Sequence, residues 1–227
     1  SALLQAIRGD SEPKQGETRD DTFNLKNQVK ALMVDHQDSF VHNLASYFRE
    51  CGVELVTLRP ELARDYIKEN QVDLIILSPG PATPSSFAMS ETISLCMERQ
   101  LPIFGVCLGL QGIIEYFGGS LEQLDYPMHG KPSVVSQSGG SLFHGMSSEF
   151  TAGRYHSLVA KEVPNCLLVN AKTSDGKVMA IQHKSLPVSA VQFHPESIMS
   201  LKNKEGHRLI QNVVREIDEL KTMKMAV

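Results

Sequence analysis

Continuous hydrophobic blocks alternate with mixed blocks along the first half of the chain. Continuous apolar character is expected for strands of a parallel sheet that is buried on both faces. These blocks predict strands at 29–34, 53–58, 72–77 and 102–106. Helices are predicted at 39–49, 61–70, 86–99 and 108–117. This alternation predicts an α/β fold with a doubly wound, largely parallel central sheet.

The pattern changes after Gly118-Gly119, where the apolar runs become shorter. Turn signals such as Gly139-Gly140 and Asp175-Gly176 separate these runs. Short strands are predicted at 133–137, 167–173, 178–183 and 188–193. The second half is therefore expected to add short mixed or antiparallel strands, and a final helix is predicted at 204–220.

The first 27 residues differ in character from the rest of the chain. Residues 1–8 resemble a helix fragment, whereas residues 9–21 are rich in charge, Gly and Pro, which is typical of a linker. A cloning remnant is the alternative, although residues 2–7 are too apolar for a common tag. We expect residues 1–27 to be the tail of an upstream domain plus a linker, and residues 28–227 to form one domain.

Charge and composition argue against several classes of protein. The 227 residues include 22 Lys and Arg against 26 Asp and Glu, and no basic stripe indicates nucleic-acid binding. The longest apolar stretch, 101–110, falls well short of the ~20 residues that a membrane helix needs. The four cysteines are scattered, which favours neither a metal site nor disulfides, so a reducing, cytoplasmic setting is expected.

Cys107 is the first candidate for chemistry, because glycines flank it in Gly105-Val106-Cys107-Leu108-Gly109. Small residues permit a sharp strand-to-helix turn that presents the thiol beside backbone N–H groups at a helix N-terminus. A thiolate, the nucleophilic form of cysteine, is stabilised in such a place. On this motif alone, a small buried cysteine without a chemical role is the competing interpretation.

His194 and Glu196 are the candidates for a base and for the group that orients it. They lie two residues apart at the end of a predicted strand, so extended geometry would place both side chains on the same side. A carboxylate beside an imidazole keeps the tautomer that can accept a thiol proton. The remaining histidines considered are interpreted as surface side chains, namely His36, His42, His144, His183 and His207.

The third candidate segment is Pro79-Gly80-Pro81, which directly follows the third predicted strand. Two prolines around a glycine make a rigid loop with an exposed N–H at Gly80. Together with the N–H of Leu108, that group could form an oxyanion hole. A tight strand-to-helix turn without a chemical role is the alternative, and the same residues would equally produce it.

In their order and spacing, the cysteine turn, His194-Pro195-Glu196 and Pro79-Gly80-Pro81 resemble the class I, triad-type glutamine amidotransferases. The resemblance extends over about residues 30–214. It implies that the Cys107 thiolate attacks the side-chain amide of glutamine, with His194 as the base and Glu196 as its orienting group. It also implies the doubly wound fold that the hydrophobic pattern predicts.

A narrower resemblance points to the branch that serves chorismate-using synthases, above all anthranilate synthases. Segments 38–40 and 154–158 are similar to that branch, and Met128-His129-Gly130-Lys131 is the candidate contact with the synthase, against the alternative of a surface loop. The upstream segment is similar to fused forms in which the synthase precedes its glutaminase. The resemblance implies no cofactor in this domain and Mg²⁺ in the partner synthase domain.

The same resemblance assigns the substrate contacts and shows two departures. The side chain or backbone of four further residues would hold the amino-acid end of glutamine: Gln111, His156, Ser157 and Leu158. Leu110 stands where many relatives have His, and Ala82 stands where Gly is usual. Neither departure alters the nucleophile, the base or the orienting carboxylate, so both are expected to change packing more than turnover.

Several alternatives remain open at this point. Aminodeoxychorismate synthase and the phenazine-pathway aminodeoxyisochorismate synthase also receive ammonia from glutaminases of this branch, and the synthase decides the product. A γ-glutamyl hydrolase would share the triad and the fold without needing a synthase. A non-catalytic regulatory module would be expected to lack Cys107, His194 or Glu196, yet all three are present.

Overall fold

The computed structural model describes residues 23–126, 128, 130–198 and 204–226. Its strands are β1 (Lys30–Val34), β2 (Glu54–Leu58), β3 (Leu74–Leu77), β4 (Ile103–Val106), β5 (Ser120–Gln123), β6 (Lys131–Gln137), β7 (Glu149–Arg154), β8 (Leu158–Glu162), β9 (Leu167–Thr173), β10 (Val178–His183) and β11 (Val188–Val191). Its helices are α1 (Val41–Glu50), α2 (Pro60–Glu69), α3 (Met89–Glu98), α4 (Leu108–Tyr116) and α5 (Glu205–Met225). Short 3-10 turns lie at Pro84–Phe87, Ser141–Phe143 and Pro195–Ser197.

A nine-stranded sheet organises the described chain, in the order β2-β1-β3-β4-β11-β10-β9-β6-β7. The pairs from β2 to β11 are all parallel, and the pairs from β11 to β7 are all antiparallel. Strands β5 and β8 form a separate antiparallel ribbon. The predicted α/β class is confirmed, and the antiparallel strands extend the parallel sheet itself.

Helices cover both faces of the sheet, as the alternating side chains of β1 show. Ala31 and Met33 belong to one hydrophobic cluster, which includes residues of α1 and α5 such as Phe48 and Val213. Their neighbours Leu32 and Val34 point to the opposite face and join a second cluster with α2, α3 and α4. Because successive side chains of a strand point to opposite faces, continuous apolar runs are what this two-sided burial requires.

The start of the described chain packs against helix α5. Phe23 and Leu25 lie against the first hydrophobic cluster. The backbone N–H groups of Lys26 and Asn27 donate hydrogen bonds to the Asp218 carboxylate at 2.8 and 2.9 Å. Residues 1–22 lie outside the described residues, so the division into an upstream tail and a domain at residues 27 and 28 stays a prediction.

The second half contains three strands that the hydrophobic pattern did not predict: β5, β7 and β8. These strands are partly exposed and lack continuous apolar runs. The predicted helix at 86–99 is divided at Ala88, whose left-handed conformation separates a 3-10 turn from α3. In the part of the chain that the structure describes, no helix is long and apolar enough to cross a membrane.

Candidate active site

Three candidate residues, together with His36, lie at the carboxyl edge of the parallel strands. His36 follows β1, Gly80 follows β3, Cys107 follows β4 and His194 follows β11. Neighbouring parallel strands end at the same edge of a sheet, and α/β proteins commonly bind ligands there. Parallel pairing of β1, β3, β4 and β11 therefore brings together residues that are up to 158 positions apart in the sequence.

Cys107 adopts the sharp turn that its flanking glycines predict. Its backbone has φ 55° and ψ −100°, a strained conformation for a residue with a side chain. Its N–H donates a hydrogen bond to the Val191 carbonyl at 2.8 Å, which ties the turn to the end of β11. A Cβ on Gly109 would overlap the Leu77 carbonyl, so only glycine lets α4 approach β3 this closely. The backbone that carries the thiol is consequently fixed by its neighbours, and Cys107 is buried.

His194 and Glu196 form the predicted pair, but a different local structure brings them together. Strand β11 ends at Val191, before the predicted limit of 193, and Pro195–Ser197 forms a 3-10 turn. Within it, the Ser197 N–H donates to the His194 carbonyl at 2.9 Å. The His194 Nδ1–H donates to Glu196 Oε1 at 3.0 Å, and both side chains are more than nine-tenths buried. The turn, and not extended geometry, returns the carboxylate to the imidazole.

The electrostatic surroundings of His194 favour its protonated form. Burial alone would lower its pKa, but hydrogen bonds with Cys107 and Glu196, together with their negative charges, raise the pKa to about 10. An imidazolium held between a sulfur and a carboxylate can deliver a proton to a leaving group and later accept one from water. Since Nδ1 faces Glu196, the other ring nitrogen is the one available for this transfer.

Two aromatic rings enclose His194, and sequence reasoning gave neither a role in the site. The ring of Phe40 lies 4.6 Å from the imidazole, and the ring of Tyr155 lies 5.2 Å away, both in edge-on contacts. Phe40 and Tyr155 also contact each other at 5.1 Å. Aromatic packing of this kind restricts rotation of the imidazole and excludes water from it. Their only sequence signal was their position in the segments that resemble the family.

The loop after β3 places Gly80 beside the start of α4. A Cβ on Gly80 would lie 2.6 Å from His36 Cβ and 2.7 Å from Leu108 Cδ2, so no larger residue fits there. Leu108 is the first residue of α4, and its N–H therefore has no acceptor within the helix. The flanking Pro79 and Pro81 restrict this loop. The geometry is compatible with the predicted oxyanion hole, and the roles of these residues remain predictions.

His36 and His183 are buried, so their interpretation as surface side chains was wrong. The ring Nδ1–H of His36 donates to the Ser78 carbonyl at 3.0 Å, and its backbone N–H donates to Ser78 Oγ at 2.9 Å. Burial lowers the pKa of His36 to about 4, although its contact with Ser78 partly opposes this. A neutral His36 thus supports the loop that carries Gly80. His36 and Ser78 follow β1 and β3, which become neighbours only in the folded sheet, so no local pattern revealed this role.

The predicted substrate contacts meet at the Leu158 carbonyl. Gln111 Nε2 donates to this oxygen at 3.1 Å, and His156 Nδ1–H donates to it at 3.0 Å. The Arg154 guanidinium donates to the other ring nitrogen of His156 at 3.2 Å. Burial, followed by the charge of Arg154, lowers the pKa of His156 to about 4. Gln111, His156 and Leu158 are therefore brought together, whereas the side chain of Ser157 is exposed.

The segment predicted to contact a partner runs alongside these residues. The Met128 N–H donates to the His156 carbonyl at 3.2 Å, and the Gly130 N–H donates to the Arg154 carbonyl at 2.8 Å. Lys131 is exposed at the start of β6, and His129 lies outside the described residues. The segment is thus adjacent to the candidate site, and its contact with a partner stays a prediction.

The described groups suit acid–base and nucleophilic chemistry. Cys107, His194 and Glu196 stand in the order that a nucleophile, a base and an orienting carboxylate require, and these roles stay predictions. Nowhere in 23–126, 128, 130–198 or 204–226 do three or more His, Cys, Asp or Glu side chains form a group that could hold a metal ion. The site as described can form and hydrolyse a covalent acyl intermediate on sulfur.

A comparison with protein families agrees with this geometry. The model of the glutamine amidotransferase class-I family matches residues 32–217, which is most of the chain. The chain belongs to the class-I glutamine amidotransferase family, and it is an enzyme of that class.

Curated relatives make the comparison more specific. The chain is 46% identical over 225 residues to a protein of Azospirillum brasilense named anthranilate synthase, covering 94% of this chain and 29% of that protein. It is 43% identical to aminodeoxychorismate/anthranilate synthase component 2 of Bacillus subtilis, covering 77% of this chain and 91% of the relative. It is 42% identical to anthranilate synthase component 2 of Methanocaldococcus jannaschii, covering 82% of this chain and 96% of the relative.

Solved structures support the fold. A protein of Thermoplasma acidophilum described as a putative GMP synthase subunit superposes with a TM-score of 0.77 at 22% identity, covering 88% of this chain and 98% of that chain. A glutamine amidotransferase of Thermotoga maritima gives a TM-score of 0.65 at 12% identity, covering 85% of this chain and 99% of that chain. At these identities the likeness concerns the fold alone.

Proposed function

We propose that this chain is the glutaminase portion of an anthranilate synthase, which hydrolyses glutamine and passes ammonia to a chorismate-using synthase for tryptophan biosynthesis. The observation that carries the proposal is the buried His194–Glu196 pair, 3.0 Å apart, whose imidazole interacts with Cys107 at a strained turn. The names of the relatives support the choice of acceptor. Aminodeoxychorismate synthesis is the second candidate, because the Bacillus relative carries both names.

Acylation is the first half of the reaction. The Cys107 sulfur attacks the side-chain amide carbon of glutamine, and the electron pair of the C=O bond moves to oxygen. The N–H groups of Gly80 and Leu108 stabilise that oxyanion. When the intermediate collapses, the C–N bond breaks, His194 gives its proton to nitrogen, and ammonia leaves. A glutamyl thioester on Cys107 remains.

Deacylation regenerates the enzyme and uses the same groups. His194, which is now neutral, removes a proton from water as the water oxygen attacks the thioester carbon. The C–S bond then breaks, its electron pair returns to sulfur, and glutamate is released. Throughout both steps Glu196 keeps the imidazole oriented through Nδ1. Gln111, with the backbone of residues 156–158, holds the amino-acid end of glutamine.

The partner of this reaction is the chorismate-using synthase. Ammonia is protonated in bulk water at neutral pH and then cannot attack, so it must travel by an enclosed path. Segment 128–131 contacts the synthase, which is fused upstream of this chain and binds the Mg²⁺ that chorismate chemistry uses. The Azospirillum relative, of which this chain spans 29%, supports a fused arrangement. The four free cysteines support a reducing, cytoplasmic setting.

Substitution of Cys107 by Ser tests the proposal in the complex with the synthase. We expect Cys107→Ser to abolish anthranilate formation from glutamine, while anthranilate formation from added ammonium salt continues at the parent rate. Cys166→Ser, at a half-exposed cysteine outside the site, is the matched control and should leave both rates unchanged. Chromatography of the product separates anthranilate from aminodeoxychorismate. Full glutamine-dependent activity of Cys107→Ser would contradict the proposal.

A further inference from the structure

Gln192 contacts the side chain of Cys107, the proposed nucleophile, and is fully buried. Its side-chain Nε2 lies 3.5 Å from Cys107 Sγ, within hydrogen-bond distance for sulfur. Its Oε1 accepts a hydrogen bond from Gln111 Nε2 at 3.4 Å. The described structure thus contains a chain of side-chain amides that ends on the reacting sulfur.

A backbone carbonyl decides which end of the Gln192 amide faces Cys107. The Leu158 carbonyl can only accept, so it requires the NH₂ group of Gln111 to face it, at 3.1 Å. The same NH₂ group has a second hydrogen, which faces Gln192 Oε1. The NH₂ group of Gln192 must then face the sulfur. A flipped Gln192 would place two donors against each other, and a flipped Gln111 would place two acceptors against each other.

Packing alone does not account for an amide at this position. The neighbours Val191 and Phe193 are fully buried, and the backbone N–H of Gln192 is already satisfied by the Met179 carbonyl at 2.9 Å. A buried side-chain amide is costly unless its groups are hydrogen bonded, so an apolar residue of similar volume would be favoured if filling space were its only purpose. The hydrogen bond that it accepts from Gln111 and the one that it donates to sulfur are what distinguish glutamine from such a residue.

We infer that Gln192 is a further catalytic residue, whose side-chain N–H donates a hydrogen bond to Cys107 Sγ and stabilises the sulfur whenever it carries negative charge. This inference rests on the proposed role of Cys107 as the nucleophile. Sulfur carries negative charge before it attacks the amide carbon, and again when the C–S bond of the thioester breaks and the electron pair returns to sulfur. A hydrogen bond to a charged acceptor is stronger than one to its neutral form. Gln192 therefore promotes both steps without transferring a proton.

The pH dependence of Cys107 alkylation tests this inference in the intact protein. Iodoacetamide reacts with the thiolate, and mass spectrometry of the Cys107 peptide reports this cysteine among the four. In Gln192→Leu we expect the midpoint of the rate-against-pH curve to move up by about one pH unit, and alkylation at pH 7 to slow about tenfold. Glutaminase kcat should fall by a similar factor while KM for glutamine changes little. In Gln192→Glu the carboxylate should shift the midpoint further in the same direction.

Two further variants separate this effect from a loss of structure. Gln192→Met is unbranched and similar in volume, so it serves if Gln192→Leu does not fold, and the same shift is expected. Asn212→Leu removes a buried amide in α5 that donates to the Leu142 and His144 carbonyls. That control should lower the melting temperature without moving the alkylation midpoint.

The outcomes distinguish this inference from the proposed function. An unchanged alkylation midpoint and kcat in folded Gln192→Leu or Gln192→Met would overturn the role of Gln192 and leave the role of Cys107 intact. Glutaminase activity that survives in Cys107→Ala would overturn the proposed function itself. A midpoint shift in the Gln192 variants, with no activity in Cys107→Ala and no shift in Asn212→Leu, would support both.

Discussion

The parallel and antiparallel halves of the sheet contribute different kinds of group to the candidate site. The loops after β3, β4 and β11, in the parallel half, carry Gly80, Cys107 and His194, the groups proposed to make and break bonds. The antiparallel half and the β5–β8 ribbon carry Arg154, His156 and Leu158, which surround the proposed binding position of glutamine. In the proposed function, the reacting groups thus follow parallel strands, whereas most of the groups around glutamine come from β7, β8 and the loop between them.

The two halves also differ in where the backbone is strained. Among the described residues, the non-glycine residues with positive φ are Gln37, Ala82, Ala88, Gln100, Cys107 and Lys204, and most of them precede β5. In the antiparallel half the positive-φ positions are glycines, namely Gly130, Gly139, Gly140, Gly145 and Gly176. Strain is tolerated when the surrounding structure determines the conformation. The parallel half therefore places residues with side chains at positive φ, whereas the turns of the antiparallel half have glycine at such positions.

The largest expected effect is a loss of catalysis when the carboxylate beside His194, in the parallel half, is removed. Glu196→Gln retains the shape of the side chain but removes the charge that orients and supports the His194 imidazolium. We expect kcat for glutamine hydrolysis to fall by roughly 10³- to 10⁴-fold with little change in KM. Steady-state glutaminase assays measure this, with Glu149→Gln, an exposed carboxylate on β7, as control. A kcat within tenfold of the parent would show that Glu196 does not support the base.

Acid should destabilise both halves through one buried histidine in each. The pKa of His36 and that of His156 are about 4 in the folded protein, below the ordinary 6.5. The unfolded chain therefore binds protons that the folded protein does not, so stability is lost as the pH falls from about 6.5 to about 4. Each histidine should lower the free energy of unfolding by up to roughly 3 kcal/mol over this range.

Urea unfolding at pH 7.0 and at about pH 5 measures this loss. His36→Gln and His156→Gln should each remove part of the pH dependence, and His42→Gln, at an exposed position, should remove none. Equal pH dependence in all three variants and the parent would show that neither buried histidine is responsible. If the pH dependence decreases only in His36→Gln, the acid sensitivity lies in the parallel half alone.

Loss of Arg154 should affect binding more than chemistry. Arg154→Met removes the hydrogen bond to His156 and leaves the buried imidazole nitrogen without its donor. The cost of such an unpaired group, about 1–2 kcal/mol, should raise KM for glutamine roughly tenfold while kcat changes less. Arg99→Met, at an exposed arginine beyond α3, is the control. If kcat instead falls as far as in Glu196→Gln, the division between binding and chemistry is wrong.

The smallest expected effect concerns strain in the loop after β3. Ala82 has φ 63°, a conformation that suits glycine better than a residue with a Cβ. Ala82→Gly should raise the free energy of unfolding by about 1 kcal/mol or less, because the larger entropy of unfolded glycine offsets part of the gain. Thermal unfolding measures this. Ala160→Gly, in strand β8, should destabilise the protein instead, and stabilisation of both variants would argue against strain as the cause.

Local patterns predicted much of the parallel half and less of the antiparallel half. Strands β1, β3 and β4 are buried on both faces, so their apolar runs stand out in the sequence. Strands β5, β7 and β8 mix exposed and buried residues, so the hydrophobic pattern did not predict them. The same contrast holds for the candidate site. Cys107 and Gly80 have small-residue motifs around them, whereas nothing near Arg154 or Gln192 in the sequence indicates what these side chains contact.

The sequence by itself determined the alternating strands and helices of the first half, the doubly wound class of the fold, and the three residues proposed for catalysis. These features depend on neighbours within a few positions, where turn geometry and side-chain periodicity operate. The tertiary structure alone decided that the antiparallel strands extend the same sheet and that Gln192 donates to a sulfur 85 residues away. Contacts over such separations form only when the strands align, because it is the packed sheet that brings their ends to one edge.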